Sequence, residues 1–294
     1  MNTEELFGMK NPWEHVAKMY ESLEEDCLFS SSKSYVCEGD EQAIDVYNEK
    51  VDKAIEGKDE ETKLRILRDK IITNIPAEPW WGNPLEARLI ILSLNPGYVP
   101  EVNMTLAKLM QSKEVVRKQV IEYKRKTLLF QVHSLMPEKK DNIEGSPITC
   151  KDAINMLGDW YWYKKLEQLR KDVYIENASI DETKFFRKIA LVELHGYSSQ
   201  TSNRTFPRID NTLESQQFTK EMIWYLAKDK KKDVRFLIMR STKKWINLLS
   251  EEFFVKFKDK IIEKKTDSMI SQYITPANFN GNEYRNIIDF INNS

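Results

Sequence analysis

Four short stretches of the chain are almost unbroken in their apolar residues: Arg88–Leu94, Lys188–Leu194, Asp233–Met239 and Ser268–Ile274. Runs of that length, bounded by polar residues, read as strands buried on both faces, the pattern of a parallel sheet. Elsewhere apolar residues recur at helical spacing: Phe218, Met222, Ile223 and Leu226 within Glu214–Ala227, and again over Thr242–Leu249. The order strand, insertion, strand, helix, strand, helix, strand, helix predicts an α/β fold with a central four-stranded parallel sheet flanked by helices.

Ahead of the first strand, residues 11–30 and 41–72 carry a helical pattern, for example Tyr47, Val51, Ala54 and Ile55, then Leu64, Leu67 and Ile71. This predicts a helical extension over residues 1–74 and an α/β domain over 75–294. Pro76, Pro79, Gly82 and Pro84 punctuate the connector Ile75–Leu85. The insertion, residues 101–187, is long for a crossover. It reads as a helix over Met104–Tyr123 and a second one opened by Gly158. There Trp160, Tyr161, Trp162 and Tyr163 follow one another, and four consecutive aromatics on a helix cannot all face one core. One or two are expected to meet a ligand, a groove or another domain.

Charge changes this picture. The net charge of −1 over 294 residues argues at first against a nucleic-acid partner, but it conceals an asymmetry. Residues 1–80 hold 10 Lys and Arg against 19 Asp and Glu, a net −9, and the remainder carries +8. The most basic stretch, residues 217–265, has 14 positive and 7 negative residues. A polyanion such as DNA suits that part, although solvated helix faces explain some of the excess. The acidic block is expected to contact either a protein partner or the catalytic domain. The three cysteines, Cys27, Cys37 and Cys150, match no zinc or iron–sulfur spacing, so no metal or other cofactor is expected. No apolar run approaches the roughly 20 residues needed to span a bilayer, and the start lacks a signal-peptide pattern. A cytoplasmic protein without a membrane partner is expected.

Sites in parallel sheets lie at the carboxyl ends of the strands. Here those ends read Asn95-Pro96-Gly97-Tyr98, then His195-Gly196-Tyr197-Ser198-Ser199, then Arg240-Ser241-Thr242-Lys243, and last Thr275-Pro276-Ala277-Asn278. A strand ending in Asn95-Pro96-Gly97 resembles the first motif of the uracil-DNA glycosylase superfamily, closest to its mismatch-specific and thymine-DNA glycosylase branches. Ser93 stands where those branches usually carry Gly. The segment Gly158–Leu166 is similar to their Gly-Asn-His-Phe-Trp-Lys segment, and Thr275–Phe279 occupies the place of their second motif. The resemblance covers roughly residues 75–293. It implies that Asn95 positions the attacking water, and that Trp162, with Tyr163 beside it, stacks on an extruded base. It also implies that the loop at Thr275, Pro276 and Asn278 presses on the DNA strand. No His precedes Pro276, and Glu193 or His195 stands where the uracil-specific branch reads its base with Asn. A modified or damaged base is therefore expected in place of plain uracil.

Breaking a base–sugar bond develops positive charge on the sugar and negative charge on the base. Such a site needs a placed water, donors for the departing base and an aromatic clamp. Asn95 orients a water, or is simply a turn residue before Pro-Gly. His195 donates to the leaving base or contacts phosphate, or is an ordinary buried histidine. Glu193, unusual in an apolar strand, accepts from an exocyclic amine or pairs with a nearby lysine. Tyr98 is a further base-contacting candidate. Tyr197, Ser198, Ser199, Arg204, Ser241 and Lys243 are DNA-contacting candidates. The expectation is a monofunctional DNA glycosylase that flips its base, glucosylated hydroxymethylcytosine of phage DNA being one substrate, and leaves an abasic site. The alternative is a non-catalytic DNA- or nucleotide-binding module of the same fold.

Overall fold

The computed structural model describes residues 2–21, 34–94, 114–133, 160–200, 213–239, 241–265 and 273–293. Four short helices come first: α1 (Thr3–Phe7), α2 (Glu14–Glu21), α3 (Glu41–Ala54) and α4 (Glu60–Leu67). Strands β1 (Trp80–Trp81) and β2 (Leu89–Leu92) follow. The crossover carries α5 (Glu114–Leu128), α6 (Trp160–Lys165), α7 (Glu167–Glu176) and α8 (Glu182–Arg187). Then come β3 (Ile189–Val192), α9 (Glu214–Lys228), β4 (Arg235–Ile238), α10 (Thr242–Leu249), α11 (Glu251–Lys256), β5 (Ile261–Ile262) and α12 (Glu283–Asn293).

The fold is α/β, with a five-stranded mixed sheet in the order β1-β3-β2-β4-β5. β3, β2, β4 and β5 run parallel, with Leu89 opposite both Ile189 and Arg235. β1 is antiparallel to β3, Trp80 facing Val192. Every residue of β2 and β3 is buried, as their unbroken apolar runs require of strands covered on both faces. The chain leaves β2 for one neighbour, β3, and then crosses to the other, β4. The strand order therefore reverses at β2, and the crevice outside the carboxyl ends of β2 and β4 is the topological switch point.

Three features add to or differ from the expected elements. Among the described residues the fourth parallel strand is β5, which the sequence pattern did not show, two isoleucines between a lysine and a glutamate being too short a run to read as a strand; the expected strand Ser268–Ile274 falls mostly outside the described residues. Residues 268–272 lie outside the described residues, and Tyr273 and Ile274 are irregular. The connector holds a strand, β1, hidden by its flanking prolines. The helical stretch 41–72 is two helices, broken at Gly57 with φ of 68°. Asp59 restarts the second by accepting from Thr62 N at 2.8 Å.

The N-terminal helices and the sheet share one apolar core, which includes Trp13, Val16, Tyr20, Ile44 and Val51 beside the strands. Asn11 is buried, donates to Leu128 O at 2.8 Å and accepts from Trp13 N at 3.0 Å. Trp80 Nε1 donates to Thr127 O at 2.7 Å. The chain leaves α5 through Phe130 at φ of 56°, a costly conformation for a non-glycine residue. Its ring stacks on Trp80 with centroids 4.5 Å apart.

Candidate functional site

Three strand ends meet at the switch point. Beyond β2, Ser93 N donates to Val192 O at 2.9 Å, and Leu94 O accepts from His195 N at 3.3 Å. α10 follows β4; its first two residues, Thr242 and Lys243, are exposed, and the next two, Lys244 and Trp245, are buried. Ser241 at its start adopts φ of 58°, and its carbonyl accepts from Lys244 N at 2.8 Å. Trp245 is fully buried and its Nε1 donates to Ser93 O at 2.9 Å, which ties α10 to the end of β2.

Glu193 and His195, each 3% exposed, lie two residues apart where β3 ends, and Lys244 is 7% exposed. The His195 imidazole is pushed down to about 3, first by burial and then by the charge of Lys244, against a hydrogen bond with the Tyr197 backbone. It is therefore neutral at physiological pH, with one ring nitrogen as donor and the other as acceptor. Among the described residues its Nδ1 is buried without a hydrogen-bond partner. Ser93, Glu193, His195 and Lys244 thus form a buried polar group at the end of an otherwise apolar sheet.

The far side of the His195 loop is held by segments from before β2. Glu78 N donates to Gly196 O at 2.7 Å, and Ile72 N to Ser198 O at 2.9 Å. Lys124 ion-pairs with Glu78 and lies 4.0 Å over the Trp81 ring. Burial pushes the Glu78 carboxyl above the usual range, with Lys124 opposing. Asp40, 0% exposed, collects donors on Oδ2: Cys37 Sγ at 3.0 Å, Tyr197 OH at 2.7 Å and Ser215 Oγ at 2.5 Å. Its Oδ1 accepts from Ser215 N at 3.3 Å. α9 opens with Leu213, whose side chain cannot cap a helix, so Asp40 supplies the missing N-terminal acceptor from a distant segment. Burial and the neighbouring Asp40 push the Cys37 thiol up beyond the reactive range.

The candidates named from sequence fall into four groups. Asn95, Tyr98 and Arg204 lie outside the described residues. Glu193 and His195 lie together at the end of β3, beside the end of β2, and Ser241 is half-buried at the start of α10. Tyr197, Ser198 and Ser199 are buried, and the Tyr197 hydroxyl serves Asp40 and accepts from Cys37 N at 3.1 Å, so this run lines the protein interior. The last group stands on α6 and the turn Pro276–Asn278. Trp162 is buried in the core. Tyr163 stacks on Phe186, lies 3.9 Å beneath the Arg170 guanidinium and donates to Glu182 at 2.8 Å. Trp162 and Tyr163 therefore both face inward, where α8 supplies the surface that helical spacing alone did not show. Pro276 is exposed and Thr275 half-buried, but Asn278 is buried, with Nδ2 donating to Tyr273 O at 2.7 Å. Its amide shapes the turn.

Lys244 was not among the candidates; Lys243 was, and it is exposed. The signal was available, because positions 244, 245, 248 and 249 form the buried stripe of α10. A separate cavity of about 520 Å³ opens at the opposite, amino end of β4 and β5, lined by Asp233, Arg235, Asp259, Glu283 and Phe290. It shares no residue with the switch-point group.

Comparison with protein-family models, curated proteins and solved structures gave no significant match. Among the described residues no helix is long and apolar enough to cross a membrane. The reading of the site therefore rests on its own geometry and chemistry.

Proposed function

We propose that the chain is a DNA glycosylase that hydrolyses the N-glycosidic bond of a modified or damaged base. The observation that carries this reading is the neutral, buried His195 beside Glu193 and Lys244 at the switch point of the sheet. That is where an α/β fold presents its ligand, and an interior imidazole with an unengaged ring nitrogen is costly without one. The Asn95-Pro96-Gly97 segment continues directly from Leu94, which is bonded to His195 N.

In the proposed reaction Asn95 orients a water toward C1′ of the sugar. The bond from C1′ to the base nitrogen breaks and the electron pair leaves with the base. The water oxygen bonds to C1′, and its released proton ends on the departed base. Neutral His195 shifts its one ring N–H from the Tyr197 backbone to the base as negative charge builds there. Glu193 accepts from an exocyclic amine, which selects cytosine-type edges. Glucosylated hydroxymethylcytosine is one such base. Thr275 and Pro276 on the exposed turn, with Lys243, contact the DNA strand.

The test is incubation with duplexes carrying modified and unmodified bases, followed by alkaline cleavage at abasic sites. Strand breaks with at least one base are expected, and Asn95→Ala is expected to remove them while DNA binding persists. Silence on every substrate would sink the proposal. One observation favours a binding module without catalysis: no His precedes Pro276 and the Asn278 amide is turned inward. DNA binding without product, unchanged in Asn95→Ala, would establish that second reading.

A further inference from the structure

At the amino ends of β4 and β5, the end of the sheet away from the switch point, two lysine-bearing turns lie side by side. Lys228, Lys230 and Lys231 close α9 and lead into β4, while Lys256, Lys258 and Lys260 close α11 and lead into β5. Lys260 Nζ donates to Ala227 O at 2.9 Å, which joins the two turns. Trp224, half-buried, packs on Phe253 and Phe257 with ring centroids 5.2 and 5.7 Å away, and its Nε1 donates to Leu249 O at 3.3 Å. Two ammoniums converge on this fixed indole ring, Lys228 Nζ 5.1 Å and Lys256 Nζ 5.7 Å from its centroid. Lys228, Lys230, Lys231, Lys256 and Lys258 are all exposed, and none has a carboxylate within ion-pairing distance among the described residues. Several surface lysines elsewhere are matched: Lys53 with Glu49, Lys70 with Asp52, Lys118 with Glu114 and Lys171 with Glu167.

Six lysines less Asp229 and Asp259 leave a net +4 over residues 228–231 and 256–260. Asp229 already accepts from Lys231 N at 2.9 Å. The carboxyl ends of α9 and α11 carry about half a negative charge each, so helix capping offsets only about one of these positive charges. We propose that this face binds the phosphate backbone of nucleic acid without regard to sequence. Lysine is a point charge on a flexible stem, which suits phosphates but lacks the planar fork that reads a guanine edge. Protein interfaces are depleted in lysine, whereas phosphates that meet lysines release their counterions and gain affinity. Val255, 79% exposed, offers too little apolar surface to anchor the face in a bilayer. The inference goes beyond the glycosylase reading and does not depend on it. A duplex held here lies at the opposite end of the sheet from a base entering at the switch point, so one molecule can hold two segments. No base is read and no bond is broken at this face.

The experiment is binding of the full chain to short unmodified DNA and RNA duplexes at several salt concentrations, with lysine acetylation mapped by mass spectrometry. Lys228→Gln, Lys230→Gln, Lys231→Gln and Lys256→Gln together are expected to weaken binding at least about tenfold at about 0.1 M salt. They are also expected to lower the slope of log K against log[salt] by about 2–4, equally for every sequence. A control with Lys50→Gln, Lys53→Gln, Lys58→Gln and Lys63→Gln removes the same charge from α3, α4 and their connection, and is expected to bind within about threefold of wild type. In wild type, an added duplex is expected to protect Lys228, Lys230, Lys231, Lys256 and Lys258 from acetylation and to leave Lys50 and Lys58 reactive. That measurement decides the question even where a fourfold variant loses its fold. No binding, an unchanged slope, an equal loss in the control or no protection of these lysines would overturn the inference. So would tighter binding of polyglutamate or of phosphatidylserine vesicles than of either duplex. Excision enters none of these readouts, so their failure leaves the glycosylase reading standing, and a lack of abasic sites leaves this inference standing.

Discussion

Replacing Asp40 with alanine removes the acceptor for four donors at once: Cys37 Sγ, Tyr197 OH, Ser215 Oγ and Ser215 N. All of these residues are buried, so water does not readily take its place. A buried donor left without a partner costs about 1–3 kcal/mol. Three of the four converge on one oxygen, and the losses are not additive; we expect about 3–5 kcal/mol for Asp40→Ala. Asp40→Asn keeps the shape and part of the acceptor capacity, and about 1–2 kcal/mol is expected. Against a domain stability of about 5–15 kcal/mol the first variant is close to unfolding. Urea unfolding followed by tryptophan fluorescence measures this, with Trp13 packed 5.4 Å from the Tyr197 ring as the local reporter. Ser215→Ala alone should cost about 1 kcal/mol, and the double variant should be no worse than Asp40→Ala, because its donor has already lost its acceptor. A loss below about 1 kcal/mol for Asp40→Ala would refute the view that this carboxyl group holds the three segments together.

Gly196→Ala places a methyl group 2.9 Å from Pro79 N and 3.0 Å from Pro79 Cα, backbone that cannot give way locally. It should cost about 1–3 kcal/mol by thermal unfolding, and under the proposed function it should also reduce excision, since His195 is the preceding residue. The histidine also sets a pH dependence: unfolded, it takes up a proton near its ordinary value of about 6.5, but folded only near 3. The unfolded chain holds the extra proton between those values, so stability is full above about pH 6.5 and falls on acidification by up to about 1.4 kcal/mol per pH unit. Urea unfolding of His195→Gln should lose that slope; an unchanged slope would mean another group carries it. Removal of residues 1–72 should give an insoluble chain in expression trials, because it uncovers Tyr197 and Phe218 and strips the bonds to Ser198 and Ser215.

The central strands were legible in the sequence because residues such as Ile90, Ile91, Ala190 and Leu191 leave no polar face. β1 and β5 were not, since two residues carry no period and their place comes from pairing with Val192 and Phe236. Glu193 and His195 stood out by chemistry, as polar residues where apolar ones belong. The polarity of Tyr197, Ser198 and Ser199 suggests DNA contacts, but the partners of this run are Cys37, Asp40 and Ile72, contributed by distant segments that a local pattern cannot reveal. Tyr163 was misplaced for a related reason: its partners Arg170, Glu182 and Phe186 become neighbours only after α7 and α8 fold back.

The clasp at Asp40 also bears on how the chain is made. Asn11 is synthesised 117 residues before Leu128, Cys37 160 residues before Tyr197, and Asp40 175 residues before Ser215. At about 5–20 residues per second, a ribosome leaves Asp40 waiting roughly 9–35 s for its partner. Through that interval the acidic helices have little of the surface they will later cover, and proteases or chaperones meet them first. Helices that emerge well before their partners are among the last elements to be locked in place.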